Sequence, residues 1–595
     1  MLTSFRPCSL GPLALVCLAA LSTRSGVVSA DERSGYFPPS VTATEQILPA
    51  DTIAMATVPS AAKFRSRWDA SSFGAMAADP AFAPFFDNVR ERLTGLSGTL
   101  GFDLQTVWRS VEGELSLGLV PASDTSGPSR RPFAMVAVAN FGSDDRAAER
   151  LLAQVTSQMQ VAGSRSAVIT ADGRDLTSWS HATDAGKTLC YFRDGDRVVF
   201  ADGLATLAKV AALDFDAQSD EQTLAESEAY QTVKSQTQPA AGSAAVRWYV
   251  NPYAAVDAAV SDGLARNPNL AVVRGLFDKA GLTQFRGFGG LFDLPGNGLD
   301  SVSSTFGHIE GEPRGFIKAL GMTATRQQPP RWVKDSVSLY SQMNWSPNQL
   351  ADFVRETVDG FQGVGTFDRD IAGQPLAGDV TVGDLLDQFE GPIHFAAEVP
   401  ESAAELSRQS TVIALGIREP ETVRQIVASL AGERAAEEVA GAEVFTIDLP
   451  IDVPAGTPLA RMPAPQLAVS VAEGQLMLST DGGYLKQTIA GASRGRPLAE
   501  SPEYREIAAN FPERTSVINF QRQDARFAGL YEELREGGMP MVGTTGLLAA
   551  ALGMDFTKLP PFSAMSRYLQ NTGGFVAPAE GGFRIVNFSL EPRER

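Results

Sequence analysis

The heptapeptide LAESEAY (Leu224–Tyr230) returns as LAESPEY (Leu498–Tyr504), with five of seven residues identical and the copies 274 residues apart. A chance match would stand alone, whereas a duplicated chain repeats several segments in one order at nearly one separation. The second pattern holds. VEGELSLGLVP (Val111–Pro121) faces FEGPIHFAAEVP (Phe389–Pro400), with Glu112 and Glu390 separated by 278 residues. DGDRVVFADG (Asp194–Gly203) faces EGQLMLSTDG (Glu473–Gly482), with Asp202 and Asp481 separated by 279. The openings, LPADTIAMATVPS from Leu48 and WVKDSVSLYSQMNWS from Trp332, share an Asp, an alternating apolar run and a closing Ser. The ends, Phe285–Ile309 and Thr572–Leu590, both read as a Gly-rich strand, a turn and a second strand.

This pattern predicts an α+β fold of two homologous repeats, each an antiparallel sheet with hairpins, packed by helices on one face. The repeats span 48–322 and 332–595. A Pro-containing linker, 323–331, joins them, and a second linker, 31–47, precedes the first. Within the first repeat, strands at Glu114–Val120 and Pro132–Ala139 lead to a helix whose Ala148, Leu151, Leu152 and Val155 share a face. In the hairpin that follows, Asp194-Gly195 supplies the positive φ of a tight turn, as Glu473-Gly474 does in the second repeat. Asp202 and Asp481 stand where a carboxylate caps a helix. Ser227 and Ser501 do the same, Pro502 suits the first helical position, and Tyr230 and Tyr504 pack inward.

Residues 1–30 read as a signal peptide: Arg6, the apolar run Leu10–Leu21, and Val28–Ala30 before cleavage at Asp31. The apolar run is shorter than the ~20 residues a spanning helix needs, and no other stretch of the mature chain qualifies. Cleavage removes Cys8 and Cys17, leaving Cys190 as a small buried core residue and no possible internal disulfide. A large exported domain without disulfides fits a bacterial periplasm or exterior. Losing Arg6 and Arg24 takes the formal charge from −19 to −21, which repels nucleic acid and anionic lipid surfaces.

Catalytic and metal signatures fail on context. HATDAGKT (His181–Thr188) ends like a phosphate loop but leads into a strand, and GASRG (Gly491–Gly495) follows a helix, leaving Ser493 in a loop. The three histidines, His181, His308 and His394, show no ligand spacing, and Asp214–Glu221 lacks the glycine and final bidentate Glu of a Ca²⁺ loop. No catalytic, cofactor-binding or metal residue is assigned, and no cofactor is expected.

The LPADT opening (Leu48–Thr52), DPAFAPFF (Asp79–Phe86), the restart DSVSLYSQMNW (Asp335–Trp345) and the GGF…GGF…FSL ending resemble a group of uncharacterised exported planctomycete proteins. That group is similar in pattern to a broader bacterial family of unknown function. The resemblance implies an envelope or secreted location and brings no catalytic residue. The resulting expectation is a non-enzymatic structural or binding module with an envelope protein or lipid as possible partner. The alternatives are a carrier holding a lipid-like ligand in a concavity of or between the repeats, and a hydrolase with a dispersed site.

Overall fold

Strand Arg197–Ala201 buries all five side chains, which an extended chain achieves only if both faces of its sheet are covered. Val198 and Phe200 pack against helices Ala61–Ala70, Leu104–Ser110 and Asp145–Val161, through Phe64, Trp68, Trp108, Ala148 and Leu151. Val199 and Ala201 point the other way, to Leu207 and Val210 of helix Leu204–Phe215 and Tyr230 of helix Glu228–Gln236. The later strand Gln475–Ser479 behaves alike: Leu476 meets Val423 and Val427 of helix Pro420–Ala431, and Met477 meets Leu485 and Ile489 of helix Gly482–Gly491. Helices therefore lie on both faces of the sheet, not one. The cause is the consecutive apolar residues VVFA within RVVFA and LML within QLMLS, which present hydrophobic surface on either side.

The computed structural model describes residues 43–100, 104–123, 133–142, 145–171, 174–181, 184–215, 221–238, 244–254, 275, 278–319, 323–398, 410–432, 434–448, 466–492, 494–523, 528–536 and 555–592. Residues 1–30, read from sequence as a signal peptide, lie outside them. Among the described residues the chain is mixed helix and strand around one large antiparallel sheet of 20 strands. In chain order these are β1 (Ala54–Val58), β2 (Leu115–Pro121), β3 (Phe133–Asn140), β4 (Ser164–Ala171), β5 (Arg174–His181), β6 (Asp184–Asp194), β7 (Arg197–Ala201), β8 (Val246–Val250), β9 (Phe285–Asp293) and β10 (Leu299–Ile309). They continue with β11 (Leu339–Asn344), β12 (Phe389–Glu398), β13 (Ser410–Ile417), β14 (Glu437–Val439), β15 (Ala442–Asp448), β16 (Gln466–Ala472), β17 (Gln475–Ser479), β18 (Val517–Gln521), β19 (Thr572–Ala579) and β20 (Gly582–Leu590).

From one edge the order is β4-β5-β6-β7-β3-β2-β1-β8-β9-β10. From the other it is β14-β15-β16-β17-β13-β12-β11-β18-β19-β20. Each strand of the first ten has the neighbours that its counterpart ten strands later has. The two series meet where β10 pairs with β20, from Ser301 opposite Ser589 to His308 opposite Gly582. A helical contact supports this joint: Phe82 and Phe86 pack on Leu559, Met565 and Tyr568, and Asp79 accepts from Arg567 and from the Tyr568 hydroxyl.

Local expectations hold in the second half of the chain more fully than in the first. Ser501 Oγ accepts the Tyr504 N–H at 3.1 Å, Pro502 starts the helix, and Asp481 Oδ1 caps Tyr484 N–H at 3.0 Å. In the first half Asp202 accepts instead from Met135 N–H on β3. Ser227 makes no cap, its side chain turning to Tyr249, and Thr223 with Glu226 boxes the preceding turn. The hairpin turn also differs: because Asp194 pairs with Arg197, its two residues are Gly195-Asp196 rather than Asp194-Gly195. Gly195 has φ +59°, whereas Glu473 and Gly474 have +52° and +72°.

Packing of the first half begins before residue 48, since Thr44–Gln46 forms a turn and Ile47 is fully buried. The 323–331 connection is held too: Thr325 bonds Thr515 in both directions, and the Gln327 amide donates to Ser516 O.

Phe306 on β10 is fully buried against Tyr230 and Val233. Phe306→Ala is expected to cost about 3–5 kcal/mol in urea unfolding, against less than about 0.5 kcal/mol for truncating the exposed Val364.

Candidate functional site

Near the joint, strand alternation sends polar residues to one face. In β18, Ile518 and Phe520 enter the core while Asn519 and Gln521 face away. In β20, Phe588 and Leu590 are buried while Asn587 and Ser589 face away. Register then aligns them across strands. Asn519 stands opposite Gly574, Gly574 opposite Asn587, Asn587 opposite Ser303, and Ser303 opposite Phe292. The next row is Gln521, Thr572, Ser589 and Ser301, with Ser301 Oγ and Ser589 Oγ 2.7 Å apart. Together they floor a half-open groove of about 500 Å³, closed at its ends by Leu339 and Phe292.

Gly574 shapes the floor. A Cβ there would lie 2.4 Å from Asn587 Oδ1, so the bare backbone leaves room for that amide to lie across the strand. The opposite row of the same face is apolar, with Met343 beside Val517 and Val576 beside Ile585. Among the described residues lining the groove none is acidic, basic, His or Cys. The site therefore offers hydroxyls, amides and apolar contact, with the Tyr340 phenol among its lining groups.

A second cleft, of about 480 Å³, lies by Tyr253, Asp278, Arg286, Glu310 and Arg314. Its polar groups are engaged with one another. Arg286 pairs with Glu310 at 2.6 Å, and the buried Gln284 amide donates to Glu310 O and Glu312 O while accepting from Arg314 N–H.

The residues weighed from sequence fall elsewhere. His181 ends β5 and Asp184–Thr188 begin β6, so the loop resembling a phosphate site is strand on either side. Ser493 lies outside the described residues, as do residues 216–220 of the acidic cluster, whose Asp214 is buried in an ion pair with Arg197. No group of three metal-ligating side chains occurs among the described residues. Cys190 is fully buried, its thiol donating to Ser178 Oγ at 3.4 Å, and burial raises its pKa. His308 Nδ1 lies 3.0 Å from Gly581 O.

His394 sits on a face of β12, in the core. Its Nδ1 is 2.9 Å from the Tyr340 hydroxyl, which donates to Gln342 Oε1 at 3.1 Å. One hydroxyl proton cannot serve both, so neutral His394 donates from Nδ1 to Tyr340, which passes its proton to Gln342. The matching place on β2 holds Ser116, which with Thr57 and the Thr44 N–H donates to Glu114. Both clusters are satisfied internally and tie sheet to chain start or core rather than facing a ligand.

Residues 23–251 match a family model described as a protein of unknown function, DUF3352. The match ends one residue after β8. No curated protein and no solved structure is significantly similar to the chain.

Burial lowers the His394 pKa from 6.5 to about 4. The unfolded chain therefore takes up a proton on acidification that the native state refuses. Stability present above pH 6.5 falls as pH drops toward 4, by up to about 3 kcal/mol. Denaturation of His394→Leu across this window should show that much less pH dependence than wild type.

Proposed function

We propose that the chain is an exported, non-enzymatic binding module, one of the planctomycete envelope proteins it resembles, built from two homologous halves and using the central groove for a neutral polar ligand. The observation that carries the binding reading is the groove's lining: hydroxyls and amides from β10, β18, β19 and β20, with no carboxylate, imidazole, thiol, amine or guanidinium among the described residues that line it. This lining favours a hydrogen-bonding ligand over the lipid-like cargo that an apolar concavity would suit. Support for duplication comes from the repeated order of neighbours in the two strand series, together with LAESEAY and LAESPEY heading equivalent helices. Support for export is the Arg6, Leu10–Leu21, Val28–Ala30 pattern.

The test is a thermal-shift screen of the chain from Asp31 onward against uncharged polyhydroxyl compounds, uncharged peptides and lipids, with Asn519→Ala/Asn587→Ala beside wild type. Both asparagines are exposed, so the double variant should unfold within a few degrees of wild type. A ligand that raises the wild-type midpoint but not the variant's supports the groove. Ligand shifts identical in both proteins, or turnover of a hydrolase substrate by the chain, would refute the reading.

A further inference from the structure

The floor of the groove has no free main-chain edge. Strands β10, β18, β19 and β20 are each paired on both sides, so their backbone groups are spent in ladders. A bound chain must be read by side chains alone, which removes the strand-addition mode by which extended peptides gain affinity. Charge narrows the ligand further. In a protein of net charge −19 the groove presents neither cations for a phosphate or carboxylate nor carboxylates for an amine or metal ion. What it presents instead is a row of neutral donors and acceptors beside an apolar row.

Asn519, Asn587 and Ser303 follow one another across the strands, with Gly574 between the two amides. At a strand spacing of about 4.8 Å, the row from Asn519 to Ser303 is roughly 14 Å long. Each amide offers a carbonyl and an NH₂, the pairing that matches two adjacent hydroxyls, one accepting and one donating. Asn587 lies over Gly574, where any side chain would displace its amide from the row. Phe292 at one end of the groove, with Met343 and Val517 in the neighbouring row, supplies surface for C–H faces, whereas Ile585 farther along that row packs against Phe583 and Ile317.

Resting on the binding reading above, we propose that the ligand is a neutral oligosaccharide lying across strands β18, β19, β20 and β10. Its hydroxyl edges meet Asn519, Asn587 and Ser303, and its C–H faces meet Phe292 and the apolar row. Sugar rings carry both surfaces without charge, and a chain of them has the repeat that a row of side chains can follow. Binding requires no bond to break, which agrees with a lining whose described residues hold no carboxylate or imidazole.

Isothermal titration of the chain from Asp31 onward with chito-oligosaccharides and cello-oligosaccharides of two to six sugars tests this. Parallel arms use an uncharged Gly-Ser-Asn peptide and phosphatidylcholine vesicles. At least one sugar series should bind saturably, tighten with chain length, and weaken about tenfold or more in Asn519→Ala/Asn587→Ala, since two hydrogen-bonding amides are lost. Val364→Ser, at a 96% exposed site, should bind as wild type. Sugars that fail to bind, or bind the double variant unchanged, overturn the proposal. If the peptide or vesicles then bind and lose binding in the double variant, the groove stands as a site and only the ligand class is wrong. Silence in every arm removes both.

Discussion

The β10–β20 ladder is the interaction on which the rest of the molecule depends. Without it each ten-strand series would end in a long strand with unpaired N–H and C=O groups, the kind of edge that pairs with whatever it meets. With it, those two strands become the middle of one sheet. Among the described residues the remaining edges are β4 and β14, at opposite ends, and β14 is only three residues long. The pairing also fixes register, since a slip of one residue would turn Phe306 and Phe588 out of the core and Ser303 and Asn587 into it.

The groove follows from where helix cover is thick and where it stops. Over β7 and β17 both sheet faces are closed by helices, and the centres of those strands, Val198–Ala201 and Leu476–Leu478, are apolar on both sides. Over β10, β18, β19 and β20 one face keeps its core while the other carries Ser, Asn, Gln and Thr. Alternation along each strand lets a polar face and a buried face coexist in the same residues' backbone, so a binding surface costs the core nothing. Two polar clusters in the sheet, His394 with Tyr340 and Gln342, and Glu114 with Thr57 and Ser116, are spent on one another, whereas the groove turns hydroxyls and amides toward solvent.

Local structure was readable from sequence because short-range chemistry decides it. Pro502 after Ser501 can hardly be anything but a helix start, and Tyr230 and Tyr504 fall on the buried side of the helices they enter. The mixed helix and antiparallel strand character followed from the same patterns. Helices on both faces were missed although RVVFA, with no polar alternation, was the available signal. The turn at Gly195-Asp196 was misplaced by one residue because a glycine can stand at either central position of a primed turn. The groove was not readable at all. Ser303, Asn519 and Asn587 lie far apart in the chain, and only register brings them into one row. In sequence each is an ordinary polar residue on a half-exposed strand, although the recurring Asn-Phe of VINFQ and IVNFSL marked the alternation.

The central claim is that the two strand series form one sheet through β10 and β20. Native-state hydrogen exchange resolved to single amides tests it most directly. Amides of Val302–Gly307 and Phe583–Phe588 that bridge the two strands should belong to the slowest-exchanging set, opening only with global unfolding. If they exchange as fast as the outward amides of edge strand β4, the series are not joined and the groove between them has no floor.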